Sequence, residues 1–241
     1  MTNPTAAMLV IGDEILSGRT REANAYHLAG RLGRVGIDLR EIRVVPDDHA
    51  VIVDALQSLS TTHTHVFTSG GIGPTHDDIT ADAVADAFGV GIDIRDDARE
   101  LLQTAVGRGR TLTAEHLRMA RIPHGAELIV NHVSGAPGFS IGNVHVMAGV
   151  PEIFVAMLDT VLPSLESGRA VLSDELRFEV GEGSIAAPLR DLAAELPDLS
   201  FGSYPFHEGS VYGTNIVVRG TDRARIDHAV ERLEAIRRSR G

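Results

Sequence analysis

The sequence predicts an α/β fold: a three-layer α/β/α sandwich around a mostly parallel sheet, followed by a small α+β module. Between Ala6 and Phe88, short apolar runs alternate three times with stretches of helical periodicity. Such alternation is typical of parallel strands whose sheet is covered by helices on both faces. The pattern starts again after Gly168, which predicts a first domain at residues 1–168 and a second at 169–241.

The elements of the first domain are predicted from apolar runs and from the residues that end them. A short continuous apolar run is typical of a buried strand, and Asn or Asp ahead of a periodic stretch is typical of a helix N-cap. Asn24 and Asp47 are therefore assigned as caps. The predicted order is a strand at 6–12, a loop at 13–18, a helix at 24–35, a strand at 37–45, a helix from 47, a strand at 65–68, helices at 81–88, 96–107 and 113–120, strands at 127–130 and 144–147, and a helix at 152–165.

The second domain is predicted as a β-α-β-β-α unit. Its strands are expected at 176–180, 199–206 and 213–219, and its helices at 184–196 and 222–238. A unit of about 70 residues is near the lower limit for independent stability. We therefore expect it to dock on the first domain or on another subunit, and we predict a homo-oligomer, either a dimer or a trimer.

Charge and residue usage exclude several classes of chemistry. The net charge is −11, from 33 acidic against 22 basic residues, and no Lys is present. Nucleic acid is not an expected partner, because a polyanion-binding surface needs a clustered basic excess. The absence of Cys excludes thiol nucleophiles and thiolate metal sites. No apolar run reaches the roughly 18 residues of a membrane helix, and no signal peptide is recognised, so we expect no membrane association and a cytoplasmic location.

The most informative stretch is HVFTSGGIGPTHDDIT, residues 65–80, in which a β-rich run turns through glycines into a helix. Backbone N–H groups at such a turn lack helical partners and favour an anion, usually phosphate. Asp77 and Asp78 beside a phosphate indicate a divalent cation between them. The stretch is neither a Walker A loop nor G-x-G-x-x-G. The alternative is a tight turn with surface aspartates that cap a helix.

Two further acidic loops are predicted at the same edge of the sheet. Asp13 and Glu14 follow the first strand, and Asp47 follows the second. Because the carboxyl ends of parallel strands meet at one edge, these loops should converge with the glycine-rich stretch. An Asx turn at Asp13 and a cap at Asp47 remain alternatives. The sequence therefore favours a site for a small phosphorylated ligand and a metal.

Three ordered motifs resemble the N-terminal family of the competence/damage-inducible protein A (CinA). They are Ile11-Gly12-Asp13-Glu14-Ile15-Leu16-Ser17-Gly18, the stretch from Gly70 to Thr80, and Met147-Ala148-Gly149-Val150-Pro151. The resemblance runs nearly from end to end. It implies the fold of the molybdopterin-binding MoaB/MogA proteins, shared with the N-terminal part of eukaryotic FAD synthases, for the first domain. It implies a KH-like module for the second.

The resemblance also implies an activity and roles for Asp78 and Asp47, and the residue pattern supplies the other candidate site residues. The activity is metal-dependent hydrolysis of nucleotide diphosphates such as ADP-ribose or FAD. The candidate catalytic residues are Asp78, Asp47 and Asp77, and the candidate ligands of Mg²⁺, Mn²⁺ or Co²⁺ are Asp77, Asp78 and Glu14. The ligand-binding residues are assigned as Gly12, Asp13, Glu14, Ser17, Asn24, Ser69, Gly70, Gly71, Gly73, Pro74, Thr75, Thr80, Gly149 and Pro151, with Ser134 on a glycine–proline loop that forms a lid or rim.

Two departures from the family pattern bear on function. Gly135 stands where many relatives have Lys, which removes one phosphate contact. Val180-Gly181-Glu182-Gly183 is acidic where an RNA-binding loop is usually basic or neutral, which argues against RNA binding. Two other functions stay open: a molybdopterin-binding or adenylylating protein of molybdenum-cofactor synthesis, and a nucleotide-binding protein without catalysis.

Overall fold

A computed structural model describes residues 3–107 and 110–239. The chain divides into two compact units, Met1–Gly168 and Arg169–Gly241. Over the described residues, no helix combines the length and apolar character needed to cross a membrane.

The first unit alternates strands and helices, as the sequence predicts. Its strands are β1 (Thr5–Ile11), β2 (Asp38–Val45), β3 (His65–Ser69), β4 (Ile92–Ile94), β5 (Arg121–Pro123), β6 (Glu127–Ile129), β7 (Gly138–Ile141) and β8 (Val144–Met147). Its helices are α1 (Asp13–Leu16), α2 (Asn24–Arg34), α3 (His49–Thr62), α4 (Thr80–Phe88), α5 (Asp96–Val106), α6 (Ala114–Arg118) and α7 (Pro151–Val161), and α7 continues into a 3₁₀ turn at Leu162–Ser164.

The central sheet of this unit has, among the described residues, six strands in the order β2-β1-β3-β8-β7-β6. The pairs β1–β2, β1–β3 and β3–β8 are parallel, whereas β7 lies antiparallel to both β8 and β6. β4 and β5 form a separate antiparallel pair. The mostly parallel sheet with helices on its faces confirms the predicted fold class.

The sheet separates two apolar cores, because successive side chains of a strand point to opposite faces. Along β1, Ala7, Leu9 and Ile11 pack into the core that contains α3 and α4. The alternate residues Met8 and Val10 pack into the core that contains α2 and α7. A strand that is buried on both faces has no polar alternation, and the continuous apolar run was the signal that predicted it.

Three sequence assignments near the strand ends are wrong. Residues 13–18 were expected to form a loop, but Asp13–Leu16 forms the short helix α1. Asp48, rather than Asp47, caps α3, because its carboxylate accepts the N–H of Val51. Asn24 is the first helical residue of α2 rather than its cap, and its side chain is buried. In each case the residue type was appropriate, and tertiary contacts decided its position.

The second unit is a β-α-β-β-α module. Its elements are β9 (Leu172–Phe178), α8 (Glu182–Glu195), β10 (Ser200–Glu208), β11 (Val211–Gly220) and α9 (Arg223–Arg238). The strands form an antiparallel sheet in the order β10-β11-β9. α8 and α9 cover one face, where Phe178, Ile216 and Leu233 belong to one apolar core.

Candidate functional site

The loops that follow β1, β2 and β3 meet at one edge of the sheet, as predicted. The N–H of Gly12, at the end of β1, donates to the carbonyl of Val45 at the end of β2, with 3.1 Å between N and O. One residue further along, the N–H of Asp13 donates to Oδ2 of Asp47 at 2.9 Å. The convergence of the acidic loops is therefore confirmed.

The glycine loop, residues 70–79, follows β3, one of the two central strands of the six-stranded sheet. Hydrogen bonds hold this loop on two sides. The N–H of Gly70 donates to Met147 O at the end of β8, at 3.2 Å. Thr80, the first residue of α4, donates from Oγ1 to Gly70 O and from N to Gly71 O, both at 3.0 Å. Gly70 has φ +108°, and a Cβ on it would lie 2.2 Å from Ile11 O, so a side chain is excluded there.

Asp78 folds back across the glycine loop. Its Oδ2 accepts from the N–H of Thr75 at 2.8 Å and from Oγ1 of Thr75 at 2.6 Å. A Cβ on Gly73 would lie 2.7 Å from the same oxygen. Asp78 thus organises the loop besides offering a carboxylate. Asp77, in contrast, keeps 59% of its side chain exposed, and its pKa is lowered chiefly because the Thr75 hydroxyl also lies within its reach.

A cavity of about 670 Å³ opens at this edge. The predicted residues that line it are Glu14, Gly70, Gly71, Gly73, Pro74, Asp78, Ser134, Gly149 and Pro151. The predicted residues that do not line it are Gly12, Asp13, Ser17, Asn24, Asp47, Ser69, Thr75, Asp77 and Thr80. Four residues of the second group, Ser17, Asn24, Thr75 and Thr80, form hydrogen bonds to residues of the first. The assignment of Asp47 and Asp77 to catalysis stays a prediction.

Helices α5 and α6 supply a wall that the sequence did not predict. Leu102, Ala105 and Val106 contribute from α5, and His116 contributes from α6 together with Met119 just after it. The signals for this wall were present: the helical spacing of Leu102, Ala105 and Val106, and the T-x-x-H spacing that lets the Thr113 hydroxyl accept from His116 N.

The new wall is fixed to the rest of the site at two points. Arg118 of α6 donates to the carbonyl of Asp78, with 3.2 Å between Nη2 and O. On the other side, Gly135 approaches α5 so closely that a Cβ on it would lie 2.3 Å from Cβ of Ala105. The wall and the glycine loop therefore face each other across the cavity as parts of one packed unit.

Asn24 links helix α2 to the end of β3 and to the loop before α7. The residue is 3% exposed, and its Nδ2 donates to Ser69 Oγ and to Gly149 O, each at 2.8 Å. It lines a separate cavity of about 50 Å³ with Ser69 and Gly149. Its Oδ1 is buried and has no hydrogen-bond partner among the residues that the structure describes. Asn24 thus fixes the end of β3 to the loop before α7.

Ser134 is held at the cavity by Asn131. Oδ1 of Asn131, a residue that is 3% exposed, accepts from the N–H groups of Val133 at 3.1 Å and of Ser134 at 2.8 Å. Such side-chain bonds to the following backbone fix a turn. The predicted rim is therefore a constrained loop that presents Ser134 to the cavity.

The electrostatics of the edge are acidic. Burial raises the pKa of Asp47 above its ordinary value, the hydrogen bond from Asp13 N opposes this, and the charges of Glu14, Asp13 and Asp77 raise the pKa further. Within residues 3–107 and 110–239, no group of three or more His, Asp or Glu side chains is arranged to hold a metal ion. Two carboxylates that line the cavity, Glu14 and Asp78, are available to a metal that takes its other ligands elsewhere.

Two family descriptions match the chain, one for each unit. "Probable molybdopterin binding domain" matches residues 7–167. "FAD synthase, middle domain" matches residues 170–238. The first match covers more than half of the chain, so it shows the family to which the chain belongs.

Relatives and a solved structure agree with these matches. A probable FAD synthase of Caenorhabditis elegans is 31% identical over 96% of this chain and 50% of its own length. A CinA-like protein of Citrifermentans bemidjiense is 36% identical over 85% of this chain and 48% of its own length, so the chain spans about half of each of these relatives. The crystal structure of a CinA of unknown function from Thermoplasma acidophilum is 33% identical, covers 67% of this chain and 97% of its own, and superposes with a TM-score of 0.63. The chain belongs to the molybdopterin-binding domain family, as a CinA-type member with a MoaB/MogA-like first domain, followed in the sequence by a segment that matches the FAD synthase middle domain.

Proposed function

We propose that the chain binds a nucleotide diphosphate across the glycine loop and hydrolyses its diphosphate bond with the help of a divalent metal. One observation carries the proposal. The N–H groups of Gly71, Ile72 and Gly73 have no acceptor among the residues described, and all three residues line the cavity. Free N–H groups in a glycine turn are the usual cradle for phosphate oxygens.

A second anion-binding feature lies beside the first. The N-terminal end of α7, an 11-residue helix, contributes Pro151 and Ile153 to the cavity lining. The first N–H groups of a helix lack internal partners, and the helix dipole favours negative charge there. A Cβ on Gly149 would lie 3.3 Å from Cα of Gly70, so the two features are adjacent. Together they can bind the two phosphates of a diphosphate.

The residues present fit a divalent metal that arrives with the ligand. Mg²⁺ is typically bound through one or two carboxylates together with substrate phosphates and water, rather than in an all-protein cage. Glu14 and Asp78 would supply those carboxylates. When bound, the metal would offset phosphate charge and favour attack by water. We extend this proposal to Mn²⁺ and Co²⁺.

The proposed reaction is hydrolysis of the P–O–P bond between the two phosphates. A water oxygen forms a bond to one phosphorus, the bond from that phosphorus to the bridging oxygen breaks, and two protons are released when both phosphate products are fully ionised. ADP-ribose would give AMP and ribose 5-phosphate, and FAD would give AMP and FMN. The chain's own contribution is to orient the two phosphates on the loop N–H groups and on the α7 N-terminus.

The test measures AMP release from ADP-ribose and from FAD, with Mg²⁺, Mn²⁺ or Co²⁺, by chromatography. We expect Asp78→Asn and Glu14→Gln to lower kcat at least about 100-fold, the size typical of losing a positioned catalytic group. Asp78→Asn keeps an oxygen that can accept from Thr75, so the loop stays folded. Asp54→Asn, on the exposed face of α3, is the matched control and should leave kcat unchanged.

Two results would count against the proposal, the first against hydrolysis itself and the second against the roles of Asp78 and Glu14. One is the absence of AMP release with every metal while nucleotide binding is retained. The other is turnover that survives both Asp78→Asn and Glu14→Gln. In the first case a binding function remains, and in the second the active carboxylates lie elsewhere.

A second candidate function is binding without turnover, of a nucleotide or of molybdopterin. It is favoured by the engagement of Asp78 Oδ2 with Thr75, which leaves that carboxylate partly occupied. The match to a molybdopterin binding domain favours the pterin over other ligands. Mass spectrometry of small molecules that co-purify with the protein separates a pterin from a dinucleotide.

A further inference from the structure

The cavity proposed to bind an anionic ligand has an unusual lining. Neither Arg nor Lys is found among its described residues, and His116 is the sole lining side chain that carries nitrogen. The other polar side chains are the carboxylates of Glu14 and Asp78 and the hydroxyls of Thr20 and Ser134. His116 is therefore the one side chain on this surface with an N–H donor for the ligand.

The tautomer of His116 is fixed by Thr113. The N–H of Thr113 points at Nδ1 with 3.3 Å between the nitrogens, and Oγ1 of Thr113 lies 2.9 Å from Nδ1. A backbone N–H can only donate, so Nδ1 is the acceptor and the proton of the neutral ring is on Nε2. Within the part of the chain that the structure describes, Nε2 has no recorded partner. It is the nitrogen left for a ligand.

The surroundings of His116 decide which part of a ligand it can contact. Its neighbours on the cavity wall are apolar: Leu102, Ala105 and Val106 of α5, and Met119. A phosphate against this wall would lose its water in exchange for one hydrogen bond, which is unfavourable. A flat heteroaromatic ring would bury apolar area there and still offer a nitrogen or carbonyl oxygen to the donor.

We propose that His116 is a specificity-determining residue, whose Nε2–H donates to an acceptor atom on the heteroaromatic ring of the ligand. This inference rests on the proposed function, because it assumes that the phosphates lie on the glycine loop opposite. Thr113 is then a positioning residue that holds the donor in place. The chain distinguishes a ring-bearing diphosphate from a bare one through this contact.

Two non-hydrolysable probes separate the ring from the phosphates. Methylenediphosphonate carries only the P–C–P group, whereas α,β-methylene-ADP carries the same group with ribose and adenine attached. We expect wild type to bind both in calorimetric titrations with Mg²⁺. His116→Ala should weaken α,β-methylene-ADP about tenfold, as one hydrogen bond would, and leave methylenediphosphonate within twofold. His116→Gln, which keeps an N–H donor, should recover part of the loss.

Controls keep folding and function apart. His124→Ala removes an exposed histidine, paired with Asp93, that lies outside the cavity, and should change neither affinity. Thr113→Val should weaken only the adenine-bearing probe, whereas Thr113→Ser should not. Equal weakening of both probes by His116→Ala, or no weakening of either, would overturn the inference while the proposed function stands. If wild type binds neither probe, the proposed function fails and the inference with it.

Discussion

The carboxylate of Asp47 accepts the backbone N–H of Asp13, with 2.9 Å between Oδ2 and N. The bond joins the loops after β1 and β2, yet burial and nearby carboxylates hold the pKa of Asp47 above its ordinary value. The folded protein thus binds a proton there more tightly than the unfolded chain does. The ionised carboxylate therefore costs stability at neutral pH, and that cost disappears as the pH falls below the range in which an unfolded Asp titrates.

We accordingly expect Asp47→Asn to raise the free energy of unfolding at pH 7, by about 0.5 kcal/mol, as for exposed charge pairs. The gain should vanish near pH 3, where the wild-type carboxyl is protonated as well. Urea unfolding at the two pH values provides the measurement. Asp47→Ala is the control: it also removes the acceptor for Asp13 N and should lose about 1 kcal/mol. A stability loss in Asp47→Asn at pH 7 would contradict the argument.

Asn24 is expected to be costly to replace. Asn24→Leu would leave the carbonyl of Gly149 without its buried donor, at a cost of about 2 kcal/mol in unfolding free energy. Ser69→Ala, which removes one partner and leaves the Gly149 bond intact, should cost about half as much. Because the lost bond holds the loop before α7, Asn24→Leu should also weaken nucleotide binding. Unchanged stability in Asn24→Leu would contradict this role.

The same substitution is expected to have opposite effects at two glycines. Gly70→Ala places a methyl 2.2 Å from Ile11 O at φ +108°, so it should destabilise the fold by more than about 2 kcal/mol. Gly30→Ala, at an exposed site in α2 with open space around it, should stabilise by about 0.8 kcal/mol through helix propensity. Thermal unfolding of both variants is the measurement. A fall in Tm for Gly30→Ala as well as for Gly70→Ala would contradict the helix-propensity argument.

A pH dependence is expected from the buried histidine of β8. Burial lowers the pKa of His145 from 6.5 to about 4, and the charge of His65, 5.8 Å away between ring centroids, adds to the shift. As the pH falls from 6.5 to about 4, the unfolded chain binds a proton at this residue and the folded protein does not. Unfolding free energy should therefore decrease over that window, by at most about 3 kcal/mol.

His145→Phe should remove most of this dependence, because a neutral ring of similar size fits beside Phe67. Urea unfolding at pH 7 and pH 5 measures the difference. His124→Phe is the matched control, since its ring is exposed and should leave the dependence unchanged. If His145→Phe lost stability between the two pH values as steeply as wild type, another group would be responsible.

The parts of the fold predicted well are those that depend on continuous apolar runs. β8 begins and ends at the predicted residues, Val144 and Met147, because all four of its side chains are buried. The three-residue strands β4 and β5 were missed, since so short a pair has no periodicity of its own. Local pattern identifies what is buried on both faces, and long-range pairing decides the rest.

The candidate site was predicted where a loop carries its own chemistry. Glycines and carboxylates at strand ends identified one wall of the cavity, including Glu14 and Asp78. The opposite wall could not be found in this way, because Leu102 and Ala105 resemble any core-facing helical residues. Asn24 and Asp47 were chosen as polar site residues from their own types, but their hydrogen-bond partners, Gly149 and Asp13, are distant in sequence and could not be found by local reasoning.

The contact of Gly135 with Ala105 has an evolutionary consequence. Their backbones approach so closely that a methyl at position 135 would lie 2.3 Å from the methyl of Ala105. A relative with a long side chain at position 135 needs either a glycine at position 105 or an outward shift of α5. The two positions should therefore co-vary across the family.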